Sequence, residues 1–402
     1  MSQRVVIFDT TLRDGEQSAG VCFSVTDKID IATELARAHV DVIEVGYPAA
    51  SAVEYEAVRR VAEHVRSSAI CALARCVPGD IDVAADALRG AAHPRLHLFL
   101  SSSDVQLSHQ LRKDRSSVLL LASTMVKAAR ARVSDVEFSP MDATRADPEF
   151  LAAVVRSALH AGATTINIPD TVGYSLPDQL ARRIARLLSD VPELAGATLS
   201  FHGQDDLGLA TANAIAAVSS GARQVEVAVN GIGERAGNTS FEEVVMAIRV
   251  HGEALGVTTG VDASRIYELS KLVEERSGIA VPSNKAIVGK NAFRHASGIH
   301  QDGVLKRRET FEVIDPASIG HPRGSEIVLG KLSGRAGFRS RARELGFELE
   351  GREFEAAFAA FQAVADQRRE VDREEVARIC RALQDASDPS PADLVAPLAP
   401  LE

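Results

Sequence analysis

Eight apolar, strand-like runs follow one another at roughly regular intervals, each trailed by an amphipathic stretch rich in Ala, Leu and Arg. The runs are Val5–Phe8, Val40–Val45, Ala69–Ala74, Leu96–Leu100, Val136–Ser139, Thr165–Ile168, Leu199–His202 and Val225–Val229. Between them lie segments such as Lys28–Ala38, Ala52–Val65, Pro148–Ala161, Pro177–Leu188 and Leu209–Ser219, with Asp147 and Ser175 as expected helix N-caps. A short, mostly apolar run reads as a buried strand, and strands alternating with helices build a parallel sheet. Eight such units in about 250 residues predict a (β/α)₈ TIM barrel, class α/β. An open doubly wound sheet is the competing arrangement, but no GxGxxG follows the first run. Beyond the eighth unit come a helical pattern at Ala263–Ser277, a Gly/Pro-rich piece at Ile314–Gly337 and an amphipathic helical stretch at Glu353–Gln384. The expected organisation is a barrel over 1–258, a linker or lid over 259–345, a C-terminal mostly helical subdomain over 346–386 and a disordered tail over 387–402.

A barrel of this kind puts its chemistry at the C-terminal ends of its strands. Here those ends are where the polar residues fall. The first reads Asp9-Thr10-Thr11-Leu12-Arg13-Asp14-Gly15-Glu16-Gln17, crowding carboxylates, a guanidinium and an amide into one turn. Asp14 could hold a divalent cation and Arg13 an anionic substrate or its carbonyl; the competing reading is a solvated turn with a local ion pair. His202 and Gln204 sit two apart on one strand and so face the same way. Asn238 closes the Gly-rich loop Gly231–Asn238. Asp14, His202, Gln204 and Asn238 form an oxygen-rich set with a single imidazole, which suits Mg²⁺ or Mn²⁺ better than Zn²⁺. The alternative is a hydrogen-bonded polar layer without metal. His300, flanked by Ser, Gly, Gln and Asp, is a candidate acid/base group. The turns Lys306–Arg308 and Lys331–Arg335 are basic, either phosphate contacts or solvated surface.

Composition excludes several classes. The net charge of −10 over 402 residues argues against nucleic acid or an anionic membrane surface as partner. No apolar run reaches the ~18 residues a membrane span needs. The first run begins within a few residues of the N-terminus, leaving no room for a signal peptide. The cysteines at 22, 71, 76 and 380 have no CxxC spacing. These features point to a cytoplasmic protein.

The segments Asp9–Gln17, Glu44–Ser51, Asn167–Tyr174, His202–Gly208, Asn230–Asn238, Ser297–Gly303 and Leu329–Arg335 resemble, in order, the motifs of 2-isopropylmalate synthases and homocitrate synthases. These belong to the metal-dependent barrel superfamily named for its Asp-Arg-Glu motif. Ser103–Leu107 and the pair Asp205-Asp206 look closer to the nitrogen-fixation type of homocitrate synthase, and Glu44–Ser51 and Asn167–Tyr174 look as much like isopropylmalate synthase. The resemblance implies condensation of acetyl-CoA with a small 2-oxoacid, followed by thioester hydrolysis. It implies a divalent metal held by Asp14, His202 and the residues at 204 and 238. It makes Arg13 catalytic and substrate-binding, places Gln17, Ser139, Asn167 and Thr171 around the oxoacid, and gives His300 proton transfer from a partner subunit in a homodimer. Leucine-pathway relatives usually add a C-terminal regulatory domain, for which this chain leaves no room, so feedback by leucine there is not expected.

Four positions depart from that pattern. Gln204 stands where the family has a second histidine, Met141 where it has a glutamate, Phe311 where it has a tyrosine and Leu332 where it has a histidine. The neighbouring Asp142 is expected to point away from the site. The reading adopted from sequence is a homocitrate-synthase-like acyltransferase with an altered oxoacid such as phosphonopyruvate. The alternatives are an isopropylmalate synthase and a non-catalytic homologue that binds CoA or an oxoacid. A lyase of the superfamily is disfavoured because no cysteine lies between Cys76 and Cys380.

Overall fold

The computed structural model describes residues 2–385; the expected disordered tail over 387–402 lies outside the described residues. The chain forms two compact units, Met1–Val281 with Ala286–Val288, and Pro282–Lys285 with the residues from Gly289 onward.

The first unit is the barrel. Its strands are β1 (Val6–Asp9), β2 (Val42–Gly46), β3 (Ala69–Arg75), β4 (Pro94–Ser101), β5 (Asp135–Met141), β6 (Thr165–Asp170), β7 (Thr198–Gly203) and β8 (Gln224–Val227). They pair in parallel in sequence order, and β8 closes on β1 with Val6 opposite Gln224 and Asp9 opposite Val227. Around them run α1 (Val25–Arg37), α2 (Ala52–His64), α3 (Pro78–Ala87), α4 (Arg115–Arg130), α5 (Pro148–Ala161), α6 (Pro177–Asp190), α7 (Ala210–Ser219) and α8 (Phe241–Leu255). A ninth helix, α9 (Ile266–Ser277), belongs to the same unit. Outward strand residues such as Ile43, Leu96, Val136, Ile166 and Val225 are buried against these helices. At roughly 25 cal/mol per Å² of apolar surface, this two-layer burial supplies the main stabilising term.

Local signals explain the helix ends. Ser24 starts α1 with a capping box: its hydroxyl accepts from the Asp27 N–H while Asp27 accepts from the Ser24 N–H. Asp147 caps α5 by accepting from Phe150 N, with proline at the first turn. Ser175 is not the cap of α6. The Asp170 carboxylate takes the Ser175 N–H at 3.1 Å, tying it to the end of β6, and Leu176 stands at the N-cap before Pro177.

The second unit carries a two-stranded parallel pair, Arg294–His295 with Glu326–Ile327, and helices α10 (Gly298–Lys306), α11 (Arg335–Glu344), α12 (Gly351–Ala365) and α13 (Arg373–Asp385). The amphipathic stretch expected over 353–384 is thus two helices. Their apolar faces enclose Phe338, Phe354, Phe358 and Phe361, with Val376, Ile379 and Cys380. Phe338 and Phe361 stack with ring centroids 5.0 Å apart. No helix among the described residues is long and apolar enough to cross a membrane.

Candidate active site

The turn after β1 is built by Asp9. Its carboxylate accepts from the Thr11 N–H at 2.9 Å and the Thr11 hydroxyl at 3.0 Å. Burial, aided by the nearby Glu242 and Glu44 charges, outweighs those donors and pushes the Asp9 carboxyl up to about 7. The turn aims Arg13 back over the strand ends. Arg13 Nε donates to Glu44 Oε2 at 2.6 Å, and its NH1 pairs with Asp14. Glu44, fully buried on β2, also accepts from Thr10 Oγ1 at 2.7 Å and meets His97 Nδ1 at 2.7 Å. Burial works against its charge, but Arg13 and His97 hold it down at about 2. Burial also works against a charged His97, and the Glu44, Glu226 and Glu137 carboxylates overcome it, raising the imidazole to about 9.

Asp14, His202, Gln204 and Asn238 converge and are all buried. Gln204 Nε2 donates to Asp14 Oδ1 at 3.2 Å, and Asn238 Nδ2 donates to the same oxygen at 3.0 Å. The backbones of Gln204 and Asn238 form a β-bridge that fixes this approach. His202 Nδ1 is anchored on Glu226 Oε2 at 2.8 Å, leaving Nε2 facing the Gln204 amide at 3.2 Å. Burial disfavours the Asp14 charge, but Arg13, His202 and the two amides hold its carboxyl well below the usual carboxylate range. The amide oxygens Gln204 Oε1 and Asn238 Oδ1 are buried without a hydrogen-bond partner. Such orphaned acceptors beside an ionised carboxylate, and an imidazole oriented through its other nitrogen, fit a hard divalent cation. A half-turn of the Gln204 amide exchanges nitrogen for oxygen at that point, whereas Asn238 Nδ2 also donates to Ile232 O at 3.0 Å, a bond the same turn would break.

Two deeper groupings, Glu44/Cys71/His97 and His97/Glu137/Glu226, also bring possible ligand atoms within 4.8 Å of one another. Most of their atoms are already engaged, some with one another, although Glu226 Oε1 has no hydrogen-bond partner. His97 spends its nitrogens on Glu44 and, at 2.7 Å, on Ser139 Oγ, while burial pushes the Cys71 thiol far up. These groups form an ionic layer that supports the site from below. Glu137 in that layer is pushed up to about 7, chiefly by burial and against the pull of His97 and Arg95.

Above this layer opens a cavity of about 240 Å³ lined by Arg13, Asp14, Gln17, Ser139, Asn167, Thr171, His202 and Gln204, all residues singled out from sequence. Asn167 Nδ2 donates to Ser139 Oγ at 2.9 Å, and Thr171 Oγ1 accepts from the Asp142 N–H at 2.9 Å. Asp142 itself turns away: its backbone is left-handed (φ 64°), and its carboxylate is held by Arg145 Nε at 2.8 Å and by the Ser103 hydroxyl. Met141 lines the cavity in its place, beside Leu73, Phe99 and Pro169. His97 and Glu226 also line it and were missed from sequence; a lone polar residue at every second position of an apolar strand was the available signal.

His300 lies in the second unit, on α10. Its ring stacks on Phe311 with centroids 4.0 Å apart. The basic turns are internally compensated: Lys306 pairs with Asp302, Arg307 with Glu309, Arg308 with Glu312 and Asp315, and Arg335 with Glu355.

The closed parallel barrel, with converging carboxylate, imidazole and amide groups at its C-terminal mouth, defines a TIM-barrel enzyme. Residues 4–273 match the HMGL-like family model, and residues 287–369 match a homocitrate synthase post-HMGL domain-like model. The chain belongs to the HMGL-like family. It is 52% identical over 383 residues to a 2-isopropylmalate synthase of Microcystis aeruginosa, covering 92% of this chain and 72% of the relative. It is 50% identical over 369 residues to the 2-isopropylmalate synthase of Pyrococcus furiosus, covering 92% and 74%. The hydroxymethylglutaryl-CoA lyase of Pseudomonas aeruginosa shares the fold, with a TM-score of 0.60 at 23% identity over 71% of this chain and 97% of that one. The expected leaning toward the nitrogen-fixation homocitrate type is not what these sequence relatives carry. The residues that suggested it do other work: Ser103 holds Asp142, Asp206 pairs with Arg235, and neither lines the cavity.

Proposed function

We propose that this enzyme is an acyltransferase of the 2-isopropylmalate synthase kind, joining acetyl-CoA to a branched-chain 2-oxoacid such as 2-oxoisovalerate. In the reaction proposed, a proton leaves the acetyl methyl group and that carbon bonds to the keto carbon. The keto oxygen gains a proton, and water cleaves the thioester to release CoA. The observation that carries the reading is the character of the cavity. Its apolar lining is Leu73, Phe99, Met141 and Pro169, and every cation lining it already has a carboxylate partner. Arg13 is paired with Asp14 and Glu44, His97 with Glu44, His202 with Glu226, and Arg235 with Asp206. The second carboxylate of 2-oxoglutarate, or the phosphonate of phosphonopyruvate, would enter as an unpaired buried charge costing several kcal/mol. A branched alkyl group carries no such penalty and gains about 0.8 kcal/mol per buried methylene.

In this proposal Asp14, His202, Gln204 and Asn238 hold a divalent cation, Mg²⁺ or Mn²⁺. When bound, it would polarise the substrate ketone as a Lewis acid. Arg13 neutralises charge developing on the keto oxygen. Thr171, Ser139, Asn167 and Gln17 orient the oxoacid, and His300 moves a proton from a partner copy in a homodimer. A cytoplasmic location belongs to the same reading. Met141 favours a second reading, a non-catalytic CoA- or oxoacid-binding homologue, because a thioether can neither take a proton nor hold charge.

The test is CoA thiol release with acetyl-CoA, Mg²⁺ or Mn²⁺, and a panel of 2-oxoisovalerate, 2-oxoglutarate, pyruvate, oxaloacetate and phosphonopyruvate. The highest kcat/KM is expected for 2-oxoisovalerate. Preference for a dianionic oxoacid overturns the cavity argument, and silence across the panel selects the binding homologue.

A further inference from the structure

The rim of the barrel mouth is rich in arginine, and nearly all of it is neutralised. Arg13 faces Asp14 and Glu44, Arg75 faces Asp80, Arg115 faces Asp104 and Asp147, Arg145 faces Asp142, and Arg235 faces Asp206. The exception is the segment that follows β4. Among the described residues, Arg112 and Lys113 are exposed and make no side-chain hydrogen bond or ion pair. His109, one turn earlier, is exposed as well. The nearest carboxylate in sequence, Asp114, feels the Lys113 charge but makes no ion pair with it; its Oδ1 serves the start of α4, accepting from Ser117 N at 2.7 Å and Ser116 Oγ at 2.9 Å.

The backbone that presents these cations is unusual. Leu107–Leu111 form a single π-helical turn, and Arg112 closes it in the left-handed conformation, φ 53° and ψ 48°. π-turns and left-handed non-glycine residues are uncommon and concentrate at functional positions. The turn is pinned rather than loose. The Lys113 N–H reaches Leu107 O at 3.3 Å, and Ser101 Oγ donates to Gln110 Oε1 at 3.2 Å. At its root the Ser102 N–H donates to Met141 O at 2.9 Å, which ties the segment to a residue lining the oxoacid cavity. A chain of net charge −10 repels polyanions unless a local patch offsets the field. This segment is such a patch, at the open end of the barrel.

We propose that the segment 107–113 is the docking site for the phosphates of the acyl-CoA thioester, with Arg112 and Lys113 taking the pyrophosphate or ribose phosphate while the acetyl end enters the cavity. The site rests on the acetyl-CoA reading above. It needs no new chemistry, only charge-assisted hydrogen bonds to a substrate handle remote from the reacting carbon.

The test compares the wild type with the double variant Arg112→Gln/Lys113→Gln, and with Lys127→Gln, an exposed lysine on a late turn of α4, as a control for net charge. The double variant should raise KM for acetyl-CoA at least about tenfold, with kcat and the oxoacid KM unchanged. Acetyl-pantetheine, which lacks the nucleotide phosphates, should lose the discrimination between wild type and variant. The salt dependence of kcat/KM for acetyl-CoA should flatten in the double variant only. An unchanged acetyl-CoA KM, or an equal loss with acetyl-pantetheine, overturns the site. Should the wild type release no thiol from any oxoacid, the function reading fails separately, and calorimetry with free CoA decides the site. Binding weakened about tenfold by the double variant upholds it, and absent or unweakened binding removes it.

Discussion

Glu44→Gln tests the ionic layer beneath the cavity. Glu44 accepts from Arg13, His97 and Thr10 and is wholly buried. Glutamine keeps the shape but loses the charge and half the acceptor capacity, leaving Arg13 to Asp14 alone and His97 without its principal anion. Removing one partner of a buried ion pair costs about 3–5 kcal/mol. The imidazole points the same way: against the effect of burial, Glu44, with Glu226 and Glu137, lifts it from 6.5 to about 9. The loss is a large share of a typical 5–15 kcal/mol stability. The pH dependence has a definite sign. His97 is raised, so its contribution is complete below about 6.5 and is lost as pH climbs through about 9. Glu44 is lowered, so its contribution is present above about 4.5 and is lost as pH falls through about 2. Urea denaturation of wild type and variant should therefore differ most between pH 5 and 6.5, by about 3 kcal/mol or more, and the difference should narrow above pH 9, where His97 is neutral and the Arg13–Glu44 pair alone separates them. NMR titration should show the His97 pKa falling steeply in the variant. A loss under about 1 kcal/mol with His97 still titrating near 9 would refute the ion-pair reasoning.

Three further outcomes follow from the site. Asp14→Ala should abolish both calorimetric Mn²⁺ binding and turnover; either one surviving removes Asp14 from the cation site. Gln204→His should tighten Mn²⁺ binding about tenfold by replacing an amide oxygen with imidazole, and an unchanged calorimetric titration would show that position 204 does not reach the ion. Glu137→Gln should flatten the stability profile near neutrality. The Glu137 carboxyl is raised from 4.5 to about 7, so its stabilising contribution is complete below about 4.5 and is lost as pH rises through about 7; a variant whose urea midpoint still falls over that window places the titration elsewhere, with Asp9 next in line.

The barrel was legible because strand-like apolar runs such as Val42–Gly46 and Ala69–Arg75, buried along nearly their whole length, alternate with amphipathic segments, the pattern a parallel sheet sheathed in helices demands. The site residues at strand ends were legible for a related reason: a polar cluster that terminates an apolar run has no packing purpose. His97 and Glu226 escaped notice because they sit inside their strands, where the flanking Leu96, Leu98, Val225 and Val227 dominate the pattern. The charge they carry is affordable only because Glu44 and His202 meet them across the barrel, a pairing between distant segments. The π-turn after β4 has no sequence signature, since its geometry depends on Ser101 and Gln110 closing around it. The likeness to the nitrogen-fixation homocitrate type rested on Ser103–Leu107 and the pair Asp205-Asp206, and the side chains of Ser103 and Asp206 serve neighbouring loops rather than the cavity.

The most direct measurement is a competition. The metal-loaded enzyme is given acetyl-CoA with equal 2-oxoisovalerate and 2-oxoglutarate, and the products are identified by mass spectrometry. The paired-cation, apolar-walled cavity predicts 2-isopropylmalate as the dominant product, formed in step with free CoA. Homocitrate in excess, or CoA release without any branched hydroxyacid, would contradict it.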